Sequence, residues 1–313
     1  MSRVLTVGAA QLGPIQRGDG RAVAVGRMLD LMARAHARGC DVVVFPELTL
    51  TTFFARWYME DQAEIDSWFE REMPGPETQP LFDAARAMGL GFSLGYAELA
   101  EEAGEVHRYN TAILVDKTGT IVGKYRKVHL PGHAEYDPAR KFQHLEKRYF
   151  EVGDLGFPVW RIPVLGGVFG MCICNDRRWP ETYRVMGLQG VEMVVLGYNT
   201  PTENALSDEP ENLRMFHSHL SMQAGAYQNG TWVVGVAKAG TEDGHPMMGG
   251  SVIIAPTGEI VARCETLDDE LITAECDLDD CAFIKETVFN FAAHRRTEHY
   301  RLIAERTGAV PPD

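Results

Sequence analysis

Gly167-Val168-Phe169-Gly170-Met171-Cys172-Ile173-Cys174-Asn175-Asp176-Arg177-Arg178-Trp179-Pro180-Glu181 is the stretch on which the reading of this chain turns. Residues 167–173 are an unbroken apolar run, the pattern of a strand covered on both faces. A thiol closes the run, polar residues follow at once, and Pro180 occupies the position where proline starts a helix. Strand, tight turn, helix is a unit of an α/β fold. A thiol at the carboxyl end of such a strand stands where an attacking group is usually held, and backbone N–H groups of the turn can hold an oxyanion. Cys174 is therefore the candidate nucleophile. Cys172, two residues earlier on the same face of the strand, is read as packing. It remains the alternative nucleophile, and a Cys-x-Cys metal site lacks a second pair of ligands at zinc spacing.

Outward from this segment the same plan recurs. Residues 3–10 read as a strand. Residues 21–38 carry Val25, Met28, Leu29 and Met32 at helical spacing, with Gly39 as the stop. Residues 41–47 form a second buried strand that ends in Glu47. A helix over 78–88 precedes a strand at 91–97, and a helix over 180–188 precedes one at 193–197. Another helix is expected at 211–228 and a strand at 231–237. The segments 113–122 and 252–261 match each other as apolar strands joined by a Thr-Gly turn, the signature of a hairpin. Two α/β halves of similar plan, each mixing parallel strands with a hairpin, predict two stacked sheets with helices outside, a four-layer αββα sandwich. No linker separates the halves, so residues 1–313 are read as one domain. Residues 287–313 form a C-terminal arm suited to contacting another subunit, and a homo-oligomer, dimer or tetramer, is expected. Residues 201–212 are polar and read as a surface loop or as a cover over the site.

Composition narrows the function. The chain is 45% hydrophobic with a formal net charge of −14, which argues against nucleic acid as a partner. No apolar run reaches the ~20 residues of a membrane span. The six cysteines form no Cys-x-x-Cys pair, and residues 1–14 do not read as a signal peptide, so reduced thiols and a cytoplasmic location are expected. An anionic substrate would need local arginines to hold it. Arg177 and Arg178 lie beside the thiol, and a guanidinium grips a carboxylate with two hydrogen bonds. Asn199 and Thr200, at the end of the 193–197 strand, are further candidates for the substrate.

The thiol needs a base or a positive neighbour. Glu47 is one candidate base: a carboxylate at the end of a buried strand is partly desolvated, which raises its pKa. A helix cap or a solvated loop acid is the plainer reading. Lys127 lies in the basic run Lys124-Tyr125-Arg126-Lys127-Val128-His129. Such a strand end normally faces water, but an inward Lys127 would stabilise an oxyanion.

Taken together, Phe45-Pro46-Glu47, Tyr125-Arg126-Lys127-Val128-His129 and Ile173-Cys174-Asn175-Asp176 resemble the nitrilase superfamily of carbon-nitrogen hydrolases. Within it the resemblance is greatest to the N-carbamoyl-D-amino acid amidohydrolases. It rests on residues 45–54, 127–133, 142–150, 174–181 and 197–201, and covers nearly the whole chain. The resemblance implies the αββα fold and a catalytic set of Glu47, Lys127 and Cys174. It assigns supporting roles to Glu146, which orients Lys127, and to Asn175. It implies a substrate with carboxylate and ureido groups, bound by Arg177, Arg178, Asn199 and Thr200. His129 and His144 are weaker candidates for the same pocket. No cofactor and no metal are expected. Two departures stand out: Cys172 replaces the aromatic residue of relatives, and Gly250 stands where relatives carry histidine, which bears on a side pocket.

Overall fold

The computed structural model describes residues 2–203 and 209–312. Of the polar stretch 201–212, residues 204–208 lie outside the described residues. Fourteen strands are present among those described. The first sheet holds β1 (Val4–Gln11), β2 (Val42–Val44), β3 (Gly91–Glu102), β4 (Glu105–Val115) and β5 (Ile121–Arg126). The second holds β6 (Val159–Ile162), β7 (Gly167–Ile173), β8 (Met193–Tyr198) and β9 (Trp232–Ala237). A separate ribbon pairs β10 (Ala239–Glu242) with β11 (His245–Met248). The second sheet is completed by β12 (Val252–Ile254) and β13 (Ile260–Arg263), and β14 (Glu270–Asp277) returns to the first. The orders are β14-β1-β2-β3-β4-β5 and β13-β12-β9-β8-β7-β6. In each sheet three parallel strands, β1-β2-β3 or β7-β8-β9, are flanked by antiparallel ones. The two halves anticipated from the sequence are thus real, and they are related in plan.

Strand periodicity decides what faces what. On β2, Val42 and Val44 enter the core between the sheets, where they join Phe169, Met171, Val195 and Val234. Val43 and Phe45 point the other way, into a second core with Met28, Leu31, Met32 and Phe82. Those last residues are the apolar stripes of the helices Arg21–Ala37 and Gln79–Met88. The helices Pro180–Leu188 and Glu211–Asn229 cover the second sheet through Tyr183, Met186, Met222 and Ala226. The layers are therefore helix, sheet, sheet, helix.

Sequence reasoning missed the ribbon β10–β11, the edge strand β14 and the long arms of β3 and β4. The β3–β4 arms carry Glu98, Glu101, Glu102 and Arg108, charges that hide the strand signal. The 287–313 segment is made of short turns at Phe291–His294, Thr297–His299 and Arg301–Glu305, none with a buried residue. Among the described residues no helix is long and apolar enough to cross a membrane.

Candidate active site

Four strands of the two sheets end at one place, and each delivers a side chain there. β2 ends before Glu47, β5 before Lys127, β7 before Cys174 and β8 before Asn199. The carboxyl ends of neighbouring strands in an α/β sheet form a natural crevice. Here the ends of two stacked sheets share one.

Close approach of backbones makes this convergence possible. A Cβ on Gly197 would stand 2.2 Å from the Glu47 nitrogen, and one on Gly95 would stand 2.8 Å from the Glu47 Cα. The Pro46–Glu47 backbone is therefore clamped between β3 and β8, with no room for a methyl group on either side. Gly197→Ala must displace the Glu47 backbone rather than a flexible side chain. Overpacking of this kind costs about 1–3 kcal/mol. A drop of several degrees in Tm and a fall in kcat of at least tenfold are expected from thermal melts and steady-state kinetics. A variant with native kcat would show that Glu47 tolerates displacement.

Glu47 is fully buried and accepts three hydrogen bonds. Lys127 Nζ (2.7 Å) and Asn110 Nδ2 (2.8 Å) donate to Oε1, and the Asn199 N–H (2.9 Å) donates to Oε2. A carboxylate has roughly four lone-pair sites, so one remains for an incoming proton. Lys127 is also fully buried, and it donates to Glu146 Oε2 at 2.6 Å. An ammonium has three N–H bonds. Two are spent on the carboxylates, and the third is left for a substrate oxygen. Burial alone would lower the Lys127 pKa, but the charges of Cys174, Glu146 and Glu47 raise it well above the ordinary lysine value. Glu146 is driven up by burial and pulled down more strongly by Lys127 and His144, so it is held below the usual carboxylate range. His144 Nε2 lies 2.9 Å from Glu146 Oε1.

Cys174 itself takes φ = +49°, a left-handed conformation that costs a non-glycine residue energy. Leu48, immediately after Glu47, is left-handed as well at φ = +46°. The left-handed step at 174 ends the alternation of β7, so Cys172 stays in the core while Cys174 turns into the crevice. Cys172 is fully buried and its thiol is pushed well above the ordinary range, chiefly by burial. The Cys174 thiol donates to the Asn199 carbonyl at 3.7 Å, and the same residue's N–H binds Glu47. Sulfur and carboxylate thus meet on one residue. Burial first, and then the Glu47 charge, push the Cys174 thiol up to about 11, against the opposite pull of Lys127 and Arg177. At neutral pH it rests as a thiol.

The crevice opens into a cleft of about 200 Å³ whose wall includes Cys174, Asn175, Asn199 and Thr200. Four arginines also line it: Arg140, Arg177, Arg178 and Arg214. Three are committed. Arg140 pairs with Asp137 and Arg214 with Glu209. Arg177, expected from its position to hold the substrate, instead makes four hydrogen bonds within the protein, to the Cys174 carbonyl (2.6 Å), Thr200 Oγ1 (3.1 Å) and Ser218 Oγ (3.1 and 3.2 Å). It also lies over the Tyr198 ring. The shortest of these bonds tethers the carbonyl of the thiol residue. Arg178 makes no hydrogen bond or ion pair among the described residues. Desolvation at the cleft wall and the neighbouring Arg177 push its guanidinium down to about 10, which leaves it charged at neutral pH.

His129 is a correction to the sequence reading. It does not line this cleft. Its backbone N–H and its Nδ1 both face Asp176 Oδ1, at 2.9 and 2.8 Å, and its ring stacks on Trp179. The buried Asp176 carboxylate, which needs donors, draws it there. His144 does line the cleft. Gly250 has φ = +74°, and a Cβ there would meet Met215 Sδ at 2.5 Å, so no histidine fits without repacking. Sequence reasoning also missed Asn110, Arg140 and Arg214. Asn110 left no clear trace, because it follows Glu105, His107 and Arg108 in a strand of mixed polarity. The two arginines left none, because their place in the cleft depends on loops that are distant in sequence.

Comparison with known proteins shows the family and the fold. The family described as Carbon-nitrogen hydrolase matches residues 6–286. An N-carbamoylputrescine amidase of Solanum lycopersicum is 30% identical over 99% of this chain and 98% of its own. A carbon-nitrogen hydrolase from Helicobacter pylori G27 superposes with a TM-score of 0.81 at 23% identity, covering 97% of this chain and 99% of its own. An amidase from Nesterenkonia sp. AN1, captured with the acetamide moiety of fluoroacetamide on its active-site cysteine, superposes with a TM-score of 0.72 at 20% identity over 96% of both chains. The protein belongs to the carbon-nitrogen hydrolase family.

Proposed function

We propose that this enzyme hydrolyses N-carbamoyl amino acids, the D-enantiomers in particular, to the free amino acid, carbon dioxide and ammonia. The observation that carries this reading is Arg178, a guanidinium without a protein partner among the described residues, on the wall that also holds the thiol. A carboxylate is its natural complement. The preference for D-substrates comes from the resemblance of the catalytic and flanking motifs.

Glu47 takes the thiol proton as Cys174 attacks the ureido carbon. The third N–H of Lys127 and the backbone N–H of Asn175 receive the oxyanion. Collapse expels one amine of the ureido group, protonated by Glu47, and leaves a carbonyl group on sulfur. Water, giving its proton to Glu47, adds to that carbonyl. The second collapse frees the thiol, and the carbamic acid falls apart to carbon dioxide and an amine. Because the thiol rests protonated, Glu47 has to act during the attack rather than before it.

The N-carbamoylputrescine amidase relative acts, by its name, on a substrate whose other end is an ammonium. Arg140 and Arg214 are paired with carboxylates and Glu203 shares the wall, so the opposition to such a cation comes from Arg177 and Arg178 beside the thiol. Turnover of N-carbamoyl-D-phenylalanine, its L-enantiomer and N-carbamoylputrescine, followed by ammonia release, tests the reading. The D-enantiomer is expected to lead the polyamine by at least a hundredfold in kcat/KM, and the reverse order would overturn the assignment. Arg178→Ala should raise KM for the carboxylate substrate more than tenfold, the loss of a charged bidentate contact. N-carbamoylputrescine should be affected less. An unchanged KM would remove Arg178 from the carboxylate site.

A further inference from the structure

Asp176 belongs to no step above, yet it is fully buried two residues beyond the thiol. Its carboxylate accepts four hydrogen bonds. Tyr125 Oη (2.7 Å) and the Ile173 N–H (3.0 Å) donate to Oδ2, and the His129 N–H (2.9 Å) donates to Oδ1, with the His129 ring Nδ1 at 2.8 Å from the same oxygen. The origin of these donors is the telling point. Ile173 immediately precedes Cys174. Tyr125 and His129 flank Lys127 by two residues on either side. The phenol of Tyr125 also lies 3.3 Å from the Val128 N–H, which closes the grip around the lysine. The left-handed turn at Cys174 is what folds residue 176 back onto the end of β7. One carboxylate therefore touches both segments that supply the sulfur and the ammonium, and these segments come from different sheets.

We propose that Asp176 is a positioning residue that sets the reach between Lys127 and Cys174. The proposal rests on the reading that these two groups act on one carbonyl. A tie between sheets is needed because Lys127 is the first residue past the end of β5 and Cys174 the first past β7, and the backbone bond that Lys127 still donates to the Asn110 carbonyl holds it only within its own sheet. A misplacement of about 1 Å in such a pair can cost a hundredfold in rate. Asparagine in place of Asp176 keeps the shape but must turn an NH2 toward two of the donors, so half the grip is lost.

The test is the pre-steady-state burst of p-nitrophenol from p-nitrophenyl acetate, which reports acylation of Cys174 whatever the natural substrate. It is run on the wild type, Cys174→Ala, Asp176→Asn and the milder Tyr125→Phe. In Asp176→Asn the burst rate should fall at least thirtyfold while its amplitude stays near one per chain. Tyr125→Phe should fall three- to tenfold. A purely structural role would instead reduce the amplitude, as part of the sample unfolds, and leave the rate of the remainder unchanged. Native burst rates in both variants would overturn the proposal. No burst in the wild type, or an undiminished one in Cys174→Ala, would overturn the thiol reading itself and this inference with it.

Discussion

Glu47→Gln will lower kcat by roughly a thousandfold, within the range that a positioned general base contributes, and will at the same time make the Cys174 thiol more acidic. The two effects have opposite implications for a nucleophile, which is why the pair is diagnostic. The negative charge of Glu47 is the second cause, after burial, of the thiol's elevation to about 11. Removing that charge lowers the thiol pKa, and Lys127, released from one carboxylate, lowers it further. More thiolate is present at pH 8, yet turnover collapses, because no group remains to take the thiol proton, protonate the leaving amine and activate water. The amide also sits badly in its site. Its NH2 must face either the Asn199 N–H or Lys127 and Asn110, all of which are donors. Thiol titration by absorbance at 240 nm, with a Glu47→Gln/Cys174→Ala control, gives the pKa, and steady-state kinetics gives kcat. A thiol pKa that rises, or a kcat within tenfold of wild type, would refute the role of Glu47.

Lys127→Met should be damaging in a different way. Lys127 pairs with both Glu47 and Glu146, each of them fully buried. Taking one partner out of a buried ion cluster costs about 3–5 kcal/mol, because an uncompensated charge is left behind. For a chain of this length that corresponds to a Tm lowered by roughly 5–8 °C. The sign of the pH dependence follows. In the wild type Lys127 is the leading influence that pulls Glu146 down against burial. Without it, burial and the neighbouring carboxylate raise the pKa in the folded state above its unfolded value. A group raised in this way favours folding below the unfolded pKa and loses that contribution as pH rises through the folded value. The variant should therefore lie closest to wild-type stability near pH 5 and fall furthest behind near pH 8. Turnover should be lost at both. Thermal melts at the two pH values decide the matter, and a deficit independent of pH would mean that Lys127 does not neutralise the pair.

The sequence marked a candidate site residue most clearly where it sat at the end of a recognisable element. Cys174 and Glu47 each close a short apolar run, and the first polar residue after a buried strand is at the sheet edge whatever else the chain does. Glu146 had no such marker and came only from the resemblance. The sequence left more undecided where a side chain has a choice of neighbours. Arg177 and Arg178 are adjacent and chemically identical, and the sequence proposed the same task for both. The fold separates them: both line the cleft, but Ser218 and the Thr200 hydroxyl bind Arg177, while Arg178 makes no such bond among the described residues. His129 was drawn off in the same way by Asp176.

By itself the sequence determined the layers, the two related halves, the strand-to-helix turn at Cys174 and the residue types available for chemistry. Each of these depends on periodicity and turn residues within a few positions, so it is written locally. Only the tertiary structure decided that the ends of β2, β5, β7 and β8 share one crevice, which of the two adjacent arginines is bound by Ser218 and Thr200, and that burial raises the thiol pKa. Those outcomes depend on distances between segments far apart in the chain and on the burial of charge where two sheets meet, and neither is a property of any short stretch of residues.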